Sequence, residues 1–279
     1  MILSGNSKLV GIIGWPVSHS LSPKLHGFWI EKYRIDGVYL PLQVRPRDFR
    51  SVLRAISNIG FIGVNVTIPY KQMAFKLSDH VDVIARRIGA VNTLIIREDG
   101  SIEGRNTDVF GFLENIRITV PDFNITISPA VIIGAGGAAR AIIVGLLSNG
   151  VPKVRLINRT KSRALELAEE FGNSIEVVDW NNRNDALYGS ALLVNATSLG
   201  MIGQQPLELE LDLLPKNAVV ADIVCTPIRT PLLTMAHKYG YRIVDGLGML
   251  LYQACPSFFT WFNIMPEVTI NLRHYMENE

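Results

Sequence analysis

Short apolar runs alternate with helical periods along almost the whole chain. Residues 9–13 form an apolar run that reads as a buried strand, and residues 23–33 show a helical pattern with Ser22 as N-cap and Pro23 at the first helical position. Residues 38–40 read as a strand, and Phe49, Val52, Leu53 and Ile56 recur at helical spacing. Residues 61–68 form a strand with two embedded polar residues, Asn65 and Thr67. A further strand covers 91–96, followed by a turn at Glu98-Asp99-Gly100. Thr107 then caps a helix over 108–116, and 121–129 is a break in composition. Beyond it, 130–133 is a strand, a glycine-rich turn opens a long helix, and that helix stops at Asn149-Gly150. The pattern continues with a strand at 154–157 and a helix at 161–171 closed by Gly172. Strands at 192–196 and 219–224, a helix at 232–239, a strand at 243–244 and a helix at 248–262 complete it. Strand–helix alternation of this kind predicts α/β architecture, with parallel sheets and right-handed crossovers.

Composition narrows the picture. A length of 279 residues fits about two domains, and 48% hydrophobic with 19% charged residues is ordinary for globular cores. The net charge of +2 is too small to argue for nucleic acid or a membrane surface. Apolar runs fall short of the ~20 residues of a membrane span. The N-terminus lacks the basic-then-apolar order of a signal peptide. Cys225 and Cys255 therefore read as reduced thiols of a cytoplasmic protein. Five scattered histidines and no CxxC or HxxxH give no metal cluster.

The most informative run is Ala130-Val131-Ile132-Ile133-Gly134-Ala135-Gly136-Gly137-Ala138-Ala139-Arg140. It is a GxGxxA pattern that follows an apolar strand and opens a helix, the context in which such a pattern marks a dinucleotide site. Gly134 permits the tight turn, Gly136 lets backbone N–H groups approach a pyrophosphate, and Ala139 allows close helix–strand packing. Ala135, Gly137 and Ala138 complete the phosphate-facing loop at the helix N-terminus. At the end of the next strand stand Asn158-Arg159-Thr160-Lys161-Ser162-Arg163, with no acid to take a free ribose hydroxyl. Arg159 and Arg163 offer planar donor forks suited to a 2′-phosphate, so the cofactor reads as NADP.

A second constellation lies near the N-terminus. The run Gly14-Trp15-Pro16-Val17-Ser18-His19-Ser20-Leu21-Ser22-Pro23 sets three serines at the carboxyl end of a buried strand, where open α/β proteins bind ligands. A solvated turn and a helix cap explain Ser20 and Ser22 about equally well. Asn65 and Thr67 share a strand face by period two, and Pro69-Tyr70-Lys71 places a lysine after that strand. Asn92 and Asp108 stand at other element ends. Many uncharged hydrogen-bonding groups with one lysine and one aspartate suit a polyhydroxylated substrate. Alone, Lys71 reads as a surface lysine and Asp108 as a favourable first-turn acid.

Together these runs resemble the shikimate dehydrogenase family. The matching segments are Ser20-Leu21-Ser22-Pro23, Asn65 through Lys71, Gly89-Ala90-Val91-Asn92-Thr93, Asn106-Thr107-Asp108, the Gly134 turn, Asn158-Arg159-Thr160, Asn195-Ala196-Thr197-Ser198 and Asp245-Gly246-Leu247-Gly248-Met249-Leu250 with Gln253. They occur in the family's order and are jointly specific. The resemblance implies an α/β protein of two domains. An N-terminal α/β substrate domain comprises residues 1–106 with the returning 246–279, and a Rossmann-type NADP-binding domain with a parallel sheet comprises 107–245. It implies that Ser20 and Ser22 hold a substrate carboxylate and that Asn65, Thr67, Asn92, Asp108 and Gln253 meet its hydroxyls. Asn158, Arg159, Thr160, Arg163, Thr197, Ile223, Gly246 and Met249 then line the cofactor site with the glycine turn, although Met249 fits core packing nearly as well. The implied reaction is NADPH-dependent reduction of 3-dehydroshikimate to shikimate, with Lys71 stabilising the charge that grows on oxygen and Asp108 holding Lys71. The enzyme is expected to act in the cytoplasm as a monomer or homodimer.

Two positions depart from the family pattern. Cys225 stands where the family usually carries tyrosine, which removes a hydroxyl donor and a ring. Pro256 lies inside the helix after Gln253, where a lost backbone donor is expected to bend the helix. The competing readings are an NAD-dependent quinate/shikimate dehydrogenase, which favours an acid near Arg159 and threonine at Ser22, and a non-catalytic regulator on the same fold.

Overall fold

The computed structural model describes residues 3–278. The chain divides into two compact units, Met1–Thr107 with Leu251–Glu279, and Asp108–Leu250.

The first unit opens with β1 (Lys8–Gly14), α1 (Ser22–Lys32), β2 (Gly37–Gln43), α2 (Phe49–Ile56) and β3 (Phe61–Val66). It continues through α3 (Lys71–Leu77), β4 (His80–Val81), α4 (Val83–Ile88), β5 (Thr93–Ile96) and β6 (Ile102–Arg105). These strands form a six-stranded sheet in the order β2-β1-β3-β5-β6-β4. β2, β1 and β3 are parallel, as their helical crossovers require. β5 is antiparallel to both β3 and β6, which corrects the expectation of a wholly parallel sheet. For the β5–β6 pair the reason is local. The turn through Gly100 (φ 80°), closed by Asp99 Oδ1 accepting from Ser101 N at 2.9 Å, is too short for a crossover, so β6 must return as a hairpin.

One face of this sheet buries Ile13, Phe49, Leu53, Ile56, Val64, Tyr70 and Leu94. Tyr70 stacks on Phe49 at 4.3 Å and its hydroxyl donates to Val44 O, which anchors the residue just before α3. Ser22 does not cap α1. Leu21 occupies the N-cap position, no side chain caps it, and Ser22 is the first helical residue.

The second unit comprises α5 (Asp108–Thr119), β7 (Ala130–Ile133), α6 (Gly137–Ser148), β8 (Val154–Ile157), α7 (Lys161–Phe171), β9 (Ile175–Val178), β10 (Leu192–Asn195), β11 (Val219–Asp222), α8 (Pro231–Lys238) and β12 (Arg242–Val244). Its strands run in the order β12-β11-β10-β7-β8-β9, all parallel. Their near-continuous apolar sequences follow from burial on both faces: Ile132, Leu156, Val194 and Ala221 pack to one side, and Val131, Ile133, Leu193 and Val220 to the other. The order reverses direction between β7 and β10. In doubly wound sheets ligands bind outside the carboxyl ends of the strands at such a switch point.

The chain ends with α9 (Gly246–Phe262) and α10 (Ile270–Glu277). α9 continues through Pro256, so the helix accommodates the proline. Among the described residues, no helix is long and apolar enough to cross a membrane.

Candidate active site

In the first unit, side chains from β2, β3, β5, β6's carboxyl end and α9 converge on a buried polar cluster. Asn65 in β3 lies opposite Thr93 in β5, so their side chains meet on one face. The Asn65 Nδ2 donates toward Asn92 O (3.1 Å), Thr93 Oγ1 (3.1 Å) and Ser257 Oγ (3.3 Å), while its Oδ1 accepts from Tyr39 OH at 2.8 Å. Protein groups thereby occupy both ends of the Asn65 amide. Asn92 Oδ1 accepts from Thr107 N (2.9 Å) and Thr93 Oγ1 (2.9 Å), and its Nδ2 donates to Thr107 Oγ1 (2.9 Å) and Gln253 Oε1 (3.3 Å). Asn65, Asn92, Thr93, Thr107 and Ser257 are all buried, yet each finds partners, as buried amides and hydroxyls must. Gln253 thus reaches Asn92 despite Pro256 in the same helix.

Thr67 lies just past β3, half-buried, with its N–H on Ile13 O at 3.0 Å. Lys71 opens α3 and is half-buried. Its carbonyl accepts from Val91 N at 2.9 Å, which ties the start of α3 to the residue before Asn92. Ser20 is half-buried and its Oγ accepts from Ser22 N at 3.3 Å, while Ser22 is buried. Asp108 opens α5 in the second unit and is buried.

In the second unit the turn after β7 passes against the end of β10. Gly134 has φ 116°, and a Cβ there would stand 2.7 Å from Ala196 O and 3.0 Å from Thr197 Cγ2. Both the dihedral and the close approach demand glycine. Gly136 is the N-cap of α6, and no side chain caps this terminus. A Cβ at Gly136 would meet nothing within 4 Å, so open space lies over the helix end. Ala135, Gly137 and Ala138 are half-buried around it. Thr160 is the N-cap of α7, with its carbonyl accepting from Asn158 Nδ2 at 2.8 Å. Arg159 and Arg163 are exposed, and among the described residues neither guanidinium has an ion-pair or hydrogen-bond partner. Asp179, just past β9, is tied to Lys161 at 2.6 Å. Arg140 instead turns inward to Glu170 and over the Phe171 ring, bracing α6 on α7. A bare helix terminus under an open glycine, with two unpaired guanidinium groups at the end of the next strand, fits a phosphorylated dinucleotide.

The ends of β10 and β11 are joined by Asp222. Its Oδ1 accepts from Asn195 Nδ2 (3.0 Å) and Val224 N (3.0 Å), and its Oδ2 accepts from Thr230 Oγ1 (2.8 Å). Asn195 Oδ1 accepts from Thr197 N (3.1 Å) and Thr197 Oγ1 (2.7 Å), so the carboxylate shapes the Thr197 turn through Asn195. Ile223 N donates to Asn195 O at 3.1 Å. Burial pushes the Asp222 carboxyl up from its ordinary 3.8 to about 6, against the pull of its hydrogen bonds from Val224, Asn195 and Thr230. The folded state therefore holds this proton more tightly than the unfolded chain. Stability contributed by the group falls as pH rises from about 4 to about 6 and is level above, on the order of 3 kcal/mol in all. Asp222→Asn removes that slope: the difference in thermal midpoint between variant and wild type shifts in the variant's favour between pH 4 and 6.5. A difference that is flat with pH would show that Asp222 titrates normally.

Cys225 is half-buried, and its thiol donates to Gly246 O at 3.3 Å. Burial, with the nearby charges of Asp245 and Asp222, pushes it up to about 12, so it is an unreactive thiol. A Cβ at Gly246 would stand 2.4 Å from Val224 O, so glycine lets α9 begin against the loop after β11. Met249 is buried in the core with Ile132, Val194 and Ala221.

Sequence reasoning passed over Tyr39, Ser257 and Asp222 as members of these networks. A signal existed for Tyr39: a phenol at an inward strand position must find a hydrogen-bond partner. Ser257 offered none, since it lies 192 residues from Asn65 in the chain.

Comparison with known proteins adds three family matches. Residues 12–94 match the shikimate dehydrogenase substrate binding domain, 119–233 match shikimate / quinate 5-dehydrogenase, and 246–270 match the shikimate 5′-dehydrogenase C-terminal domain. A shikimate dehydrogenase (NADP(+)) of Paramagnetospirillum magneticum is 53% identical over 274 residues, covering 98% of this chain and 99% of its own. The shikimate 5-dehydrogenase of Thermus thermophilus, solved with NADP(H) and shikimate, superposes with a TM-score of 0.83 at 34% identity over 97% of both chains. A quinate dehydrogenase from Corynebacterium glutamicum, solved with NAD, gives a TM-score of 0.87 at 31% identity over 97% of this chain and 98% of that one.

Proposed function

The chain belongs to the shikimate dehydrogenase family, and from that premise we propose that it catalyses the reversible NADPH-dependent reduction of 3-dehydroshikimate to shikimate. The observation that carries this reading is the pairing of two features in one chain: a buried cluster of uncharged donors and acceptors for a polyhydroxylated ring, and a bare glycine turn backed by Arg159 and Arg163. The first unit is the substrate domain and the second the NADP domain.

Ser20 and Ser22 take the substrate carboxylate. Thr67, Asn92, Asp108 and Gln253 take its hydroxyls, and an analogue lacking a hydroxyl forfeits the corresponding bond. The N–H groups around Gly136, Gly137 and Ala138 hold the pyrophosphate, and Arg159 and Arg163 hold the 2′-phosphate. NADPH, when bound, supplies the hydride for the ring carbonyl carbon. Lys71 Nζ stabilises the negative charge growing on the carbonyl oxygen and delivers the proton to it, and in the reverse direction takes that proton back. The enzyme works as a monomer or homodimer in the cytoplasm, where its two thiols remain reduced.

The test is NADPH absorbance with shikimate or quinate offered against NADP or NAD in parallel. Turnover of shikimate with NADP, at a kcat/KM well above the other three pairs, is expected. Preference for quinate or for NAD would move the chain to the quinate/shikimate dehydrogenase reading. Binding of NADP by calorimetry without turnover of any pair would make it a regulator.

A further inference from the structure

Asn65 makes an odd ligand for the substrate: the side chains that engage its amide, Tyr39, Thr93 and Ser257, lie outside the proposed ligand set, whereas the Asn92 amide meets the proposed ligand Gln253 across a long 3.3 Å bond. An amide has two N–H hydrogens, and here three protein oxygens lie within reach of Nδ2: Asn92 O, Thr93 Oγ1 and Ser257 Oγ. Its Oδ1 is engaged by Tyr39 OH at 2.8 Å, and Thr93 and Ser257 are themselves joined hydroxyl to hydroxyl at 2.7 Å. Burial raises the Tyr39 phenol well above its ordinary range, so it stays protonated and donates, and the Ser22 hydroxyl lies against the same phenol. One face of the Tyr39 ring stacks on His26, with centroids 4.2 Å apart and planes within 7°. His26 is buried and among the described residues neither ring nitrogen has a hydrogen-bond partner; burial pushes its imidazole down to about 3, leaving a neutral flat ring. Trp29, Phe258 and Trp261 close around it. The result is a rigid aromatic stack with one polar tip, aimed at Asn65 beside Ser22.

We propose that Tyr39 is a positioning residue for the substrate subsite, and that it acts through Asn65, which braces the subsite instead of binding the substrate. The proposal rests on the substrate reading above. Asn65 hands its order on through two routes. Its Nδ2 bond to Asn92 O fixes the backbone of a hydroxyl-binding residue, and its bond to Thr93 Oγ1 fixes the hydroxyl that donates to Asn92 Oδ1. Ser22, whose hydroxyl also bears on this phenol, belongs to the carboxylate end. Tyr39 thus sets the spacing between the groups for the two ends of the substrate. Loosening it costs substrate affinity, because misplaced partners must be ordered on binding. It leaves the chemistry at Lys71 and the cofactor site untouched.

The experiment compares wild type, Tyr39→Phe, Ser257→Ala and the double variant in steady-state assays with shikimate and NADP, with NADP affinity measured by calorimetry. Tyr39→Phe keeps the ring on His26 and removes only the hydroxyl. The KM for shikimate is expected to rise ~10-fold, with kcat within ~3-fold of wild type and NADP affinity unchanged. Ser257→Ala is expected to raise the same KM by a smaller factor. The double variant should fall short of the product of the two, because both act through one amide. An unchanged KM in Tyr39→Phe, a parallel loss of kcat and NADP affinity, or a strictly multiplicative double variant would overturn the proposal. If Tyr39→Phe does not fold, Ser257→Ala carries the test, and an unchanged KM there overturns it. Wild-type turnover of shikimate is the separate check on the underlying reading, and its absence removes both.

Discussion

Lys71→Met lowers kcat by roughly 10²-fold or more in either direction of the reaction, while the KM for shikimate moves much less. The reason lies in when the interaction forms. Charge on the ring oxygen is small in the ground state and large as hydride arrives, so a cation at that oxygen acts mainly on the transition state. Methionine preserves the unbranched apolar stem and removes the cation and the proton. The scaffold for this side chain does not depend on the ammonium: Tyr70 is held by Phe49 and by Val44 O, and the Lys71 carbonyl is held by Val91 N. The variant should therefore fold and bind NADP as wild type does. Steady-state kinetics beside calorimetry for NADP decide it. A rise in KM with kcat preserved would reduce Lys71 to a binding group.

Replacing both Arg159 and Arg163 with alanine raises the KM for NADP by about 10²-fold, with kcat at saturation kept and use of NAD little changed. Each guanidinium is exposed and, among the described residues, without an internal partner, so its removal leaves no buried charge and takes no support from the fold. The loss should weaken as salt rises, because ions screen exposed charges in the wild type. Kinetics with both cofactors at two ionic strengths test this. An equal loss for NAD and NADP would place the arginines away from the 2′-phosphate.

The dinucleotide unit was the easier half to read. Its strands are buried on both faces and spell themselves out as unbroken apolar runs, and β7 covers the residues that its apolar run predicts. The glycine turn is legible because each glycine answers a local need, a left-handed dihedral at Gly134 and open space at Gly136. The first unit resisted in its short elements. α3, β4, α4 and β6 span too few residues to establish a period, and α4 places Val83 and Ile84 on its exposed side. Lys71 was visible as a lysine after a strand, but its place at the first position of a helix was not.

What the sequence determined by itself was the order of most of the longer elements, the cofactor turn, and the residue types gathered at strand ends. These follow from local periodicity and from motifs whose members lie within a few residues of one another. Only the tertiary structure decided which polar groups meet. Asn65, Tyr39 and Ser257 converge from three distant segments, and that convergence gives the Asn65 amide protein partners at both ends. Asp222 likewise reads as an inner residue of the strand expected over 219–224; the structure ends β11 there, where β10 and the start of α8 bring Asn195 and Thr230 to it. A hydrogen bond depends on positions within a few tenths of an ångström, and those positions are set by packing between elements far apart in the chain.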